Sequence, residues 1–471
     1  MPRDRLLPWT LAGLIFAGLA ALSLLHHYTL LDGYDMGYFR QAAWLIQHGH
    51  PVFVTSRGLY LLGDHASPIF WPIAWITAPF PPTGSLLVLQ SAALALGVVP
   101  LYAICRRIAG LAVGPSVVVV VAYGAYPALH NVNLFDFHPE VAAVPALLGA
   151  TLFGLTRRWV PYAGCVVVAL LCKEDFALVV ASLGVFLALE GHRRAGLVTA
   201  AAGLVFLVFD LRVVQPHFAG GFVQGAFLDR YGQGMGEIIK TMTLHPFRVL
   251  GDLLTRQNLE FVIAIFAPVL FLPVFAPKYL IPALPMQLLY LVSSRAAAHT
   301  IHAQYTVAIM GFVFVAAAMA LGRAKADGTR LERTVLGALL VAAFLFNAAQ
   351  SDGGLGASPW AWRHRDAVDH ARLAGARLIP KTASVSATDR LRPLIAGRKN
   401  LYNFQAPFDD YQPHNDPVPI TVRQQHTRYL FVDTADGVQW PEDRRRALER
   451  FVPELGFQKI FDRDGILVFR R

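Results

Sequence analysis

Asp35 is the residue best placed to act as a base. It opens a long polar stretch just after the first apolar run, three residues past Asp32, with Gly33 and Gly37 on either side. Glycine lets a backbone approach a partner closely. A carboxylate at the mouth of a membrane cavity can take a proton from a hydroxyl when partial desolvation raises its basicity. The plainer account is that Asp35 caps a helix expected at Met36–Gln47. A second group, Asp136-Phe137-His138-Pro139-Glu140, offers Asp136, His138 and Glu140 at i, i+2 and i+4. Such a set could bind a sugar, or a divalent metal ion through imidazole and carboxylate. The alternative is a helix start, with Pro139 in the first turn and Glu140 favourable at the dipole. Lys173-Glu174-Asp175 joins two apolar runs, where three ionisable residues are costly against lipid. Lys173 could bind a phosphate with Glu174 as its partner; a solvated turn is the alternative. His65, Arg295, His299 and His302 are further candidates for phosphate or diphosphate contacts, and Asp64 stands beside His65.

Composition says what must position these groups. Of 471 residues, 55% are hydrophobic and 15% charged, against roughly 25% charged in soluble domains. A single water-soluble globule, a disordered chain and a disulfide scaffold (three cysteines) are excluded. Cys165 and Cys172 lie roughly 10 Å apart along one helix, too far to bridge. The net charge of +10 does not point to nucleic acid. The basic residues come in short clusters between apolar runs, which is a membrane pattern and not a phosphate-tracking stripe. No G-x-x-x-x-G-K-[ST], G-x-S-x-G or H-E-x-x-H occurs, which removes support for ATP-driven transport, a hydrolase elbow or a zincin.

The expectation is a polytopic α-helical membrane protein of about eleven spans, several of them short. They are expected at Trp9–His26, Ser85–Ile104, Leu111–Leu129, Val141–Thr156, Val160–Cys172, Phe176–Glu190, Ala195–Val214, Phe261–Ala276, Tyr279–Ser293, Ala303–Leu321 and Thr334–Ala349. Arg3/Arg5, Arg106/Arg107, Arg157/Arg158, Arg193/Arg194, Lys278 and the Arg323–Arg333 cluster fall in alternate short loops, which makes those loops cytoplasmic. The chain is then expected in the cytoplasmic membrane with its N-terminus inside. On that topology the Asp32–Asp35 segment, Asp64-His65, Asp136–Glu140, Lys173–Asp175 and Arg295–His302 gather on the outer face.

Two domains are expected. Residues 1–350 form the membrane part with a large first outer loop, 29–84. That loop carries an interfacial helix at Met36–Gln47 and a proline-broken, Trp-bearing element at Ser67–Thr83. A polar, Gly-rich region from about Val213 to Asn258 reads as a second outer loop. Residues 351–471 form a small outer α/β domain with strands at Ala383–Ala387, Asn400–Phe404 and Arg428–Asp433. A helix at Pro441–Leu455 and a hairpin turning at Arg463-Asp464-Gly465 complete it.

The run Tyr34-Asp35-Met36-Gly37-Tyr38-Phe39-Arg40-Gln41, then Asp64-His65-Ala66-Ser67-Pro68, Tyr126-Pro127, Asp136-Phe137-His138 and Lys173-Glu174-Asp175 resembles a bacterial family of predicted membrane proteins, the domain of unknown function two thousand and seventy-nine. His302-x-x-Tyr305 and Ile379-Pro380 with Ser384-Val385-Ser386-Ala387 fit the same pattern; Arg40 departs from it. That family is similar to the GT-C glycosyltransferases. The resemblance implies a polyprenyl-phosphate-linked sugar donor and a base at Asp35. It implies substrate contacts among Asp32, Gln41, Asp64, His65, Asp136, His138, Glu140, Lys173, Glu174, Asp175, Arg295, His302 and Tyr305. The acceptor would be an envelope glycan, lipid or protein. A divalent ion is allowed, and no other cofactor is called for. Two rival readings remain: a transporter or flippase of lipid-linked glycans, and a non-enzymatic membrane sensor or scaffold.

Overall fold

A computed structural model describes residues 2–219, 227–324, 329–353, 362, 364–404, 420–435 and 445–471. The chain is mostly helical. Helix α1 (Pro2–Tyr28) has 27 residues, about 40 Å of rise, enough to cross a bilayer core of about 30 Å. After it come α2 (Tyr34–Gln47), a two-stranded ribbon of β1 (Phe53–Val54) and β2 (Leu59–Tyr60), α3 (Leu61–Asp64) and α4 (Phe70–Thr77). These fill the stretch expected to be a long loop. The next helices are α5 (Pro82–Leu96), α6 (Val98–Arg107), α7 (Val113–Gly124) and α8 (Pro127–Leu134). Helices α5 and α6 run on as one apolar rod, Pro82–Arg107. Helices α7 and α8 are bent by 40°, because Pro127 has no N–H to give and holds Tyr126 extended.

The chain continues through α9 (Ala143–Leu155), α10 (Trp159–Cys172), α11 (Phe176–Leu189) and α12 (Arg193–Phe209). A π turn at Asp210–Val214 leads into α13 (Gln215–Ala219). Helices α11 and α12 pack backbone to backbone: a Cβ on Gly184 would lie 2.3 Å from Ala200 N, and one on Gly196 would lie 2.5 Å from Gly184 O. Small residues at such seams are how helices associate without a hydrophobic drive. The remaining helices are α14 (Met235–Leu244), α15 (Pro246–Leu253), α16 (Arg256–Phe266), α17 (Leu284–Leu291), α18 (Val307–Ala324) and α19 (Thr329–Gln350). The loop expected at 213–258 is instead largely helical, in α13, α14, α15 and the start of α16, while 220–226 lie outside the described residues.

The eleven expected spans do not all take the form of single long helices. Five described helices are long and apolar enough to cross a membrane, six with the bent α7–α8 pair. The 14 residues of α10 and of α11 rise only about 21 Å each. Phe261–Ala276 and Tyr279–Ser293 are broken into short turns between α16 and α17. Five prolines between 268 and 285 cause this, since each removes a donor and clashes with the preceding turn. Helix α18 runs through the middle of the bundle and is buried along nearly its whole length.

The C-terminal part is a mixed five-stranded sheet in the order β4-β3-β5-β7-β6. The strands are β3 (Val385–Ala387), β4 (Leu401–Asn403), β5 (Tyr429–Asp433), β6 (Gln458–Arg463) and β7 (Ile466–Arg470). β3 is parallel to β4 and β5, and β7 is antiparallel to β5 and β6. The β6–β7 turn has Asp464 at φ 49° and Gly465 at φ 80°, the two positive dihedrals a tight hairpin needs. Of the expected Pro441–Leu455 helix, residues 441–444 lie outside the described ones, and 445–454 are helical. The sheet region rests on α2 and the β1–β2 ribbon. Gln41 donates to Thr55 Oγ1 at 2.8 Å and to Lys399 O at 3.0 Å, while Thr55 Oγ1 bonds both Leu401 O and Leu401 N.

Candidate active site

The start of α2 is fixed by a residue a hundred positions away. Asp136 Oδ1 accepts from Gly33 N at 2.6 Å, and Oδ2 accepts from Asp35 N at 2.9 Å and Met36 N at 3.1 Å. These are the orphan donors of a helix N-terminus, and no side chain next to α2 caps it. A Cβ on Gly33 would come to 3.0 Å of that carboxylate. The cap is therefore Asp136 and not Asp35. Burial and the nearby Asp35 charge push the Asp136 carboxyl up to about 7, against the pull of the three N–H donors. Asp136 sits at φ 49°, a conformation costly for a side-chain-bearing residue. Gln90 of α5 holds it there by donating to Asp136 O at 2.6 Å and accepting from His138 N at 2.8 Å.

Freed from capping, Asp35 reaches His138. Its Oδ2 lies 3.3 Å from His138 Nε2, with Asp35 about a third exposed and His138 buried. The other ring nitrogen, Nδ1, faces Phe135 O at 3.0 Å. A carbonyl and an ionised carboxylate both accept, so with Asp35 ionised the form of His138 that satisfies both partners is the imidazolium, donating from both ring nitrogens. Burial pulls the His138 pKa down, but Glu140, Asp35 and Asp136 outweigh it and the net direction is up. For Asp35, burial raises the pKa, while the His138 bond and the charges of His138, His65 and Arg392 bring it below the usual carboxylate value.

Asp35 and His138 face a cavity of about 210 Å³, shared with Tyr34, Tyr38 and Phe39 of α2 and with Arg57, Asp64, His65, Lys173, Phe227, Arg295, Gln304 and Tyr305. Its walls carry five further charged or chargeable groups, Arg57, Asp64, His65, Lys173 and Arg295. Arg57 grips Asp64 with Nε at 3.2 Å and Nη2 at 3.1 Å. His65 Nδ1 lies 3.3 Å from Glu174 Oε1, and Ala66 N donates to Glu174 Oε2 at 3.0 Å. Burial lowers the His65 pKa, yet Asp64 and Glu174 raise it overall. Lys173 is buried, 3.2 Å from Asp175 Oδ2, and 5.8 Å from the Tyr305 ring centre. Burial works against its charge, but Asp175 and the other acids outweigh it, so Lys173 stays protonated. Tyr290 donates to Asp175. Arg295 lies over the Phe227 ring at 4.3 Å.

Of the residues singled out from sequence, Asp35, Asp64, His65, His138, Lys173, Arg295 and Tyr305 line the cavity. Glu174 and Asp175 stand behind it, orienting His65 and Lys173. Asp136 caps α2. Asp32 is buried and paired with His27. Gln41 ties α2 to the C-terminal sheet. Glu140 is buried and is not among the lining residues. His302 pairs with Asp352 at 3.1 Å on the surface, and His299 bonds Asn258 and Ser293 O. Sequence reasoning missed Arg57, Phe227 and Gln304, which carry no local signal. It also missed Tyr38, three residues on from Asp35 and so on its helix face, and Tyr34, one turn before Tyr38. Among the described residues no three His, Cys, Asp or Glu side chains converge on a metal position. Asp136 and His138 are already engaged with α2 and Asp35, so their spacing does not make a ligand set.

Another missed residue comes from the C-terminal region. Arg392 is fully buried with its guanidinium 3.9 Å above the Tyr34 ring. It approaches α2 where Gly37 has no side chain; a Cβ there would lie 2.9 Å from Arg392 Cβ. Nη2 donates to Asp389 at 2.9 Å, while Nε and Nη1 are buried without a hydrogen-bond partner among the described residues.

The family model "Predicted membrane protein (DUF2079)" matches residues 26–468. The chain belongs to that family. Among solved structures, the crystal structure of ArnT from Cupriavidus metallidurans bound to undecaprenyl phosphate is similar, with TM-score 0.56 and 15% identity over 97% of each chain. The same protein in the apo state gives 0.41 at 14% identity over 96% of this chain and 97% of the other. The Archaeoglobus fulgidus oligosaccharyltransferase complex with Zn and sulfate gives 0.43 at 13% identity, over 89% of this chain and 68% of the other. Of these three only the first is close enough to carry an argument, and it shows that this DUF2079 member shares the fold of that ArnT structure. No curated protein matches the chain.

Proposed function

We propose that the protein transfers a sugar from a polyprenyl-phosphate donor to an acceptor hydroxyl, with inversion, at the outer face of the cytoplasmic membrane. The observation that carries this reading is the convergence in one cavity of Asp35 with the buried Lys173, the half-buried His65 and the exposed Arg295. Asp35 Oδ takes the acceptor's proton as its oxygen attacks the anomeric carbon. The bond from that carbon to the phosphate oxygen breaks, and its electron pair stays on the phosphate. Lys173, with His65 and Arg295, faces the charge that develops there, usually the largest electrostatic contribution to such a step. The undecaprenyl phosphate named for the ArnT structure supports a polyprenyl donor. No step is routed through a metal.

A transporter would place its polar site near the bilayer midplane on broken helices. Here the cavity is walled largely by α2 and the α3 region, which lie between the ends of two long spans, and this favours chemistry near one surface. The test is lipid extraction of the purified protein with mass spectrometry, followed by transfer assays in vesicles. A polyprenyl-phosphate sugar should co-purify, and Asp35→Asn should lower transfer roughly a hundred- to ten-thousandfold while inserting normally. Wild-type transfer by Asp35→Asn would overturn the assignment of the base.

A further inference from the structure

The charges that line the Asp35 cavity fall into two sets. In one, Lys173 lies 5.8 Å from the Tyr305 ring centre and Arg295 lies 4.3 Å from that of Phe227, the two ring centres being 5.8 Å apart. In the other, Arg57 and Asp64 stand beside Tyr34 and Tyr38 of α2, the helix that carries Asp35. This second set is closed on itself. Arg57 Nε lies 3.2 Å from both Asp64 oxygens, and Nη2 lies 3.1 Å from Oδ1. The planar fork of arginine is made for such a grip. Asp64 is buried and Arg57 is a quarter exposed, so the pair presents itself to the cavity already neutralised. Asp35 and Asp64 are the two acids among the described lining residues. Each already meets a cation, His138 and Arg57 respectively.

We infer that the sugar carried by the donor is uncharged, neither an amino sugar nor a uronic acid, and that the Arg57–Asp64 pair enforces this. The inference rests on the sugar-transfer reading above. A hydroxyl both donates and accepts, so it bridges the pair by giving its proton to Asp64 and accepting from Arg57. An ammonium finds each described lining carboxylate already held by a cation. Turned toward Asp64 it meets Arg57, and turned toward Asp35 it occupies the base that the acceptor needs. A uronate finds Arg57 taken, while Lys173 and Arg295 are the cations left to the phosphate. A charge brought into a shielded site without a partner of its own is costly. The closed pair thus works by rejecting both charged classes as well as by accepting the neutral one.

The experiment titrates the full-length protein in neutral detergent with polyprenyl phosphate, bare and glycosylated, and reads binding by native mass spectrometry. The glycosylated lipids are the hexosyl, free-amino-hexosyl and hexuronosyl forms in the gluco, galacto and manno series, at a pH where the amine is protonated. The best neutral form should bind about a hundredfold more tightly than either charged form of its series. D64N frees Arg57 and should bring the hexuronosyl lipid to within about tenfold of the neutral one. R57Q frees Asp64 and should do the same for the amino form. The two variants move opposite donors, which a general loss of folding cannot imitate, and the wild-type ranking is decisive without them. A charged form that binds wild type as tightly as the best neutral form would overturn the inference, and so would variants that keep the wild-type ranking. In either case binding of the bare phosphate leaves the sugar-transfer reading standing. If the bare phosphate does not bind at all, that reading and this inference fall together.

Discussion

Two groups of buried charge in this molecule differ in how completely they are paired. In the C-terminal sheet region, Arg372 gives Nε to Asp433 at 2.7 Å and Nη1 to Asp369 at 2.9 Å, and Asp369 also closes a capping box with Asp366 on the helix Ala367–Arg377. All three side chains are shielded and face each other. Around the cavity, by contrast, Asp35 is about a third exposed, Lys173 meets a single carboxylate and Arg295 lies against a ring. Paired charge of the first kind holds a fold in register. Charge left facing a cavity is held ready for something that arrives. A variant in the first group should therefore cost stability, and one in the second should cost turnover.

The largest effect after that of Asp35→Asn is expected from Lys173→Gln. The amide keeps a donor for Asp175 but removes the cation, and transfer should fall roughly a hundredfold or more, measured as kcat in vesicles with the thermal midpoint as a check. A fall in midpoint with kcat intact would move Lys173 into the structural group. Next is His138→Gln, read in the pH profile. The imidazolium holds Asp35 below the usual carboxylate value against its burial. With the cation gone, burial dominates and the Asp35 pKa rises. The base works when ionised, so the acid limb of kcat/KM should move upward, by about one pH unit or more. An unmoved limb would mean that another group sets it.

Much of this contrast was legible in the sequence, and the exceptions have physical causes. The apolar runs marked α1, α5–α6, α12, α18 and α19 because a span must be long and apolar. The alternating strands and the Asp464-Gly465 turn marked the C-terminal hairpin because period and turn chemistry are local. The types of Asp35, His65 and Lys173 at junctions of apolar runs marked the cavity. What could not be read was the role of a neighbour across space. Asp136 looked like a ligand and is a helix cap for α2; nothing within a few residues of it says which N–H groups it will meet. Gln41 and Asp32 stood close to Asp35 in sequence but are turned to Thr55 and His27. The break at 267–283 was legible in its prolines, yet total hydrophobicity outweighed them in the span reading.

Arg392 tests the boundary between the two groups, because it belongs to the same region as Arg372 and is half-paired. Among the described residues its Nε and Nη1 have no hydrogen-bond partner, and its charge reaches Asp35. Arg392→Lys keeps the charge and loses the planar stack on Tyr34, so it should lower kcat several-fold and leave the acid limb in place. Arg392→Met should lower kcat further and raise that limb, since one of the cations holding Asp35 ionised is gone. If Arg392→Met only lowers the thermal midpoint, Arg392 is a packing residue like Arg372.

The smallest effects sharpen the comparison from the structural side. Arg372→Met leaves Asp369 and Asp433 buried without their cation, and removing one partner of a buried network costs about 3–5 kcal/mol. The thermal midpoint of the sheet region should drop, while transfer by the molecules still folded should match wild type. His302→Ala should change neither. Its partner Asp352 is half exposed, and exposed pairs contribute about 0–1 kcal/mol. The Asp352 bond raises the His302 pKa against partial burial, so its small contribution is present below pH 6.5 and fades as pH rises through the folded value. A measurable loss of transfer in His302→Ala at neutral pH would place His302 with the cavity group after all, and the division by pairing would then fail at its most exposed member.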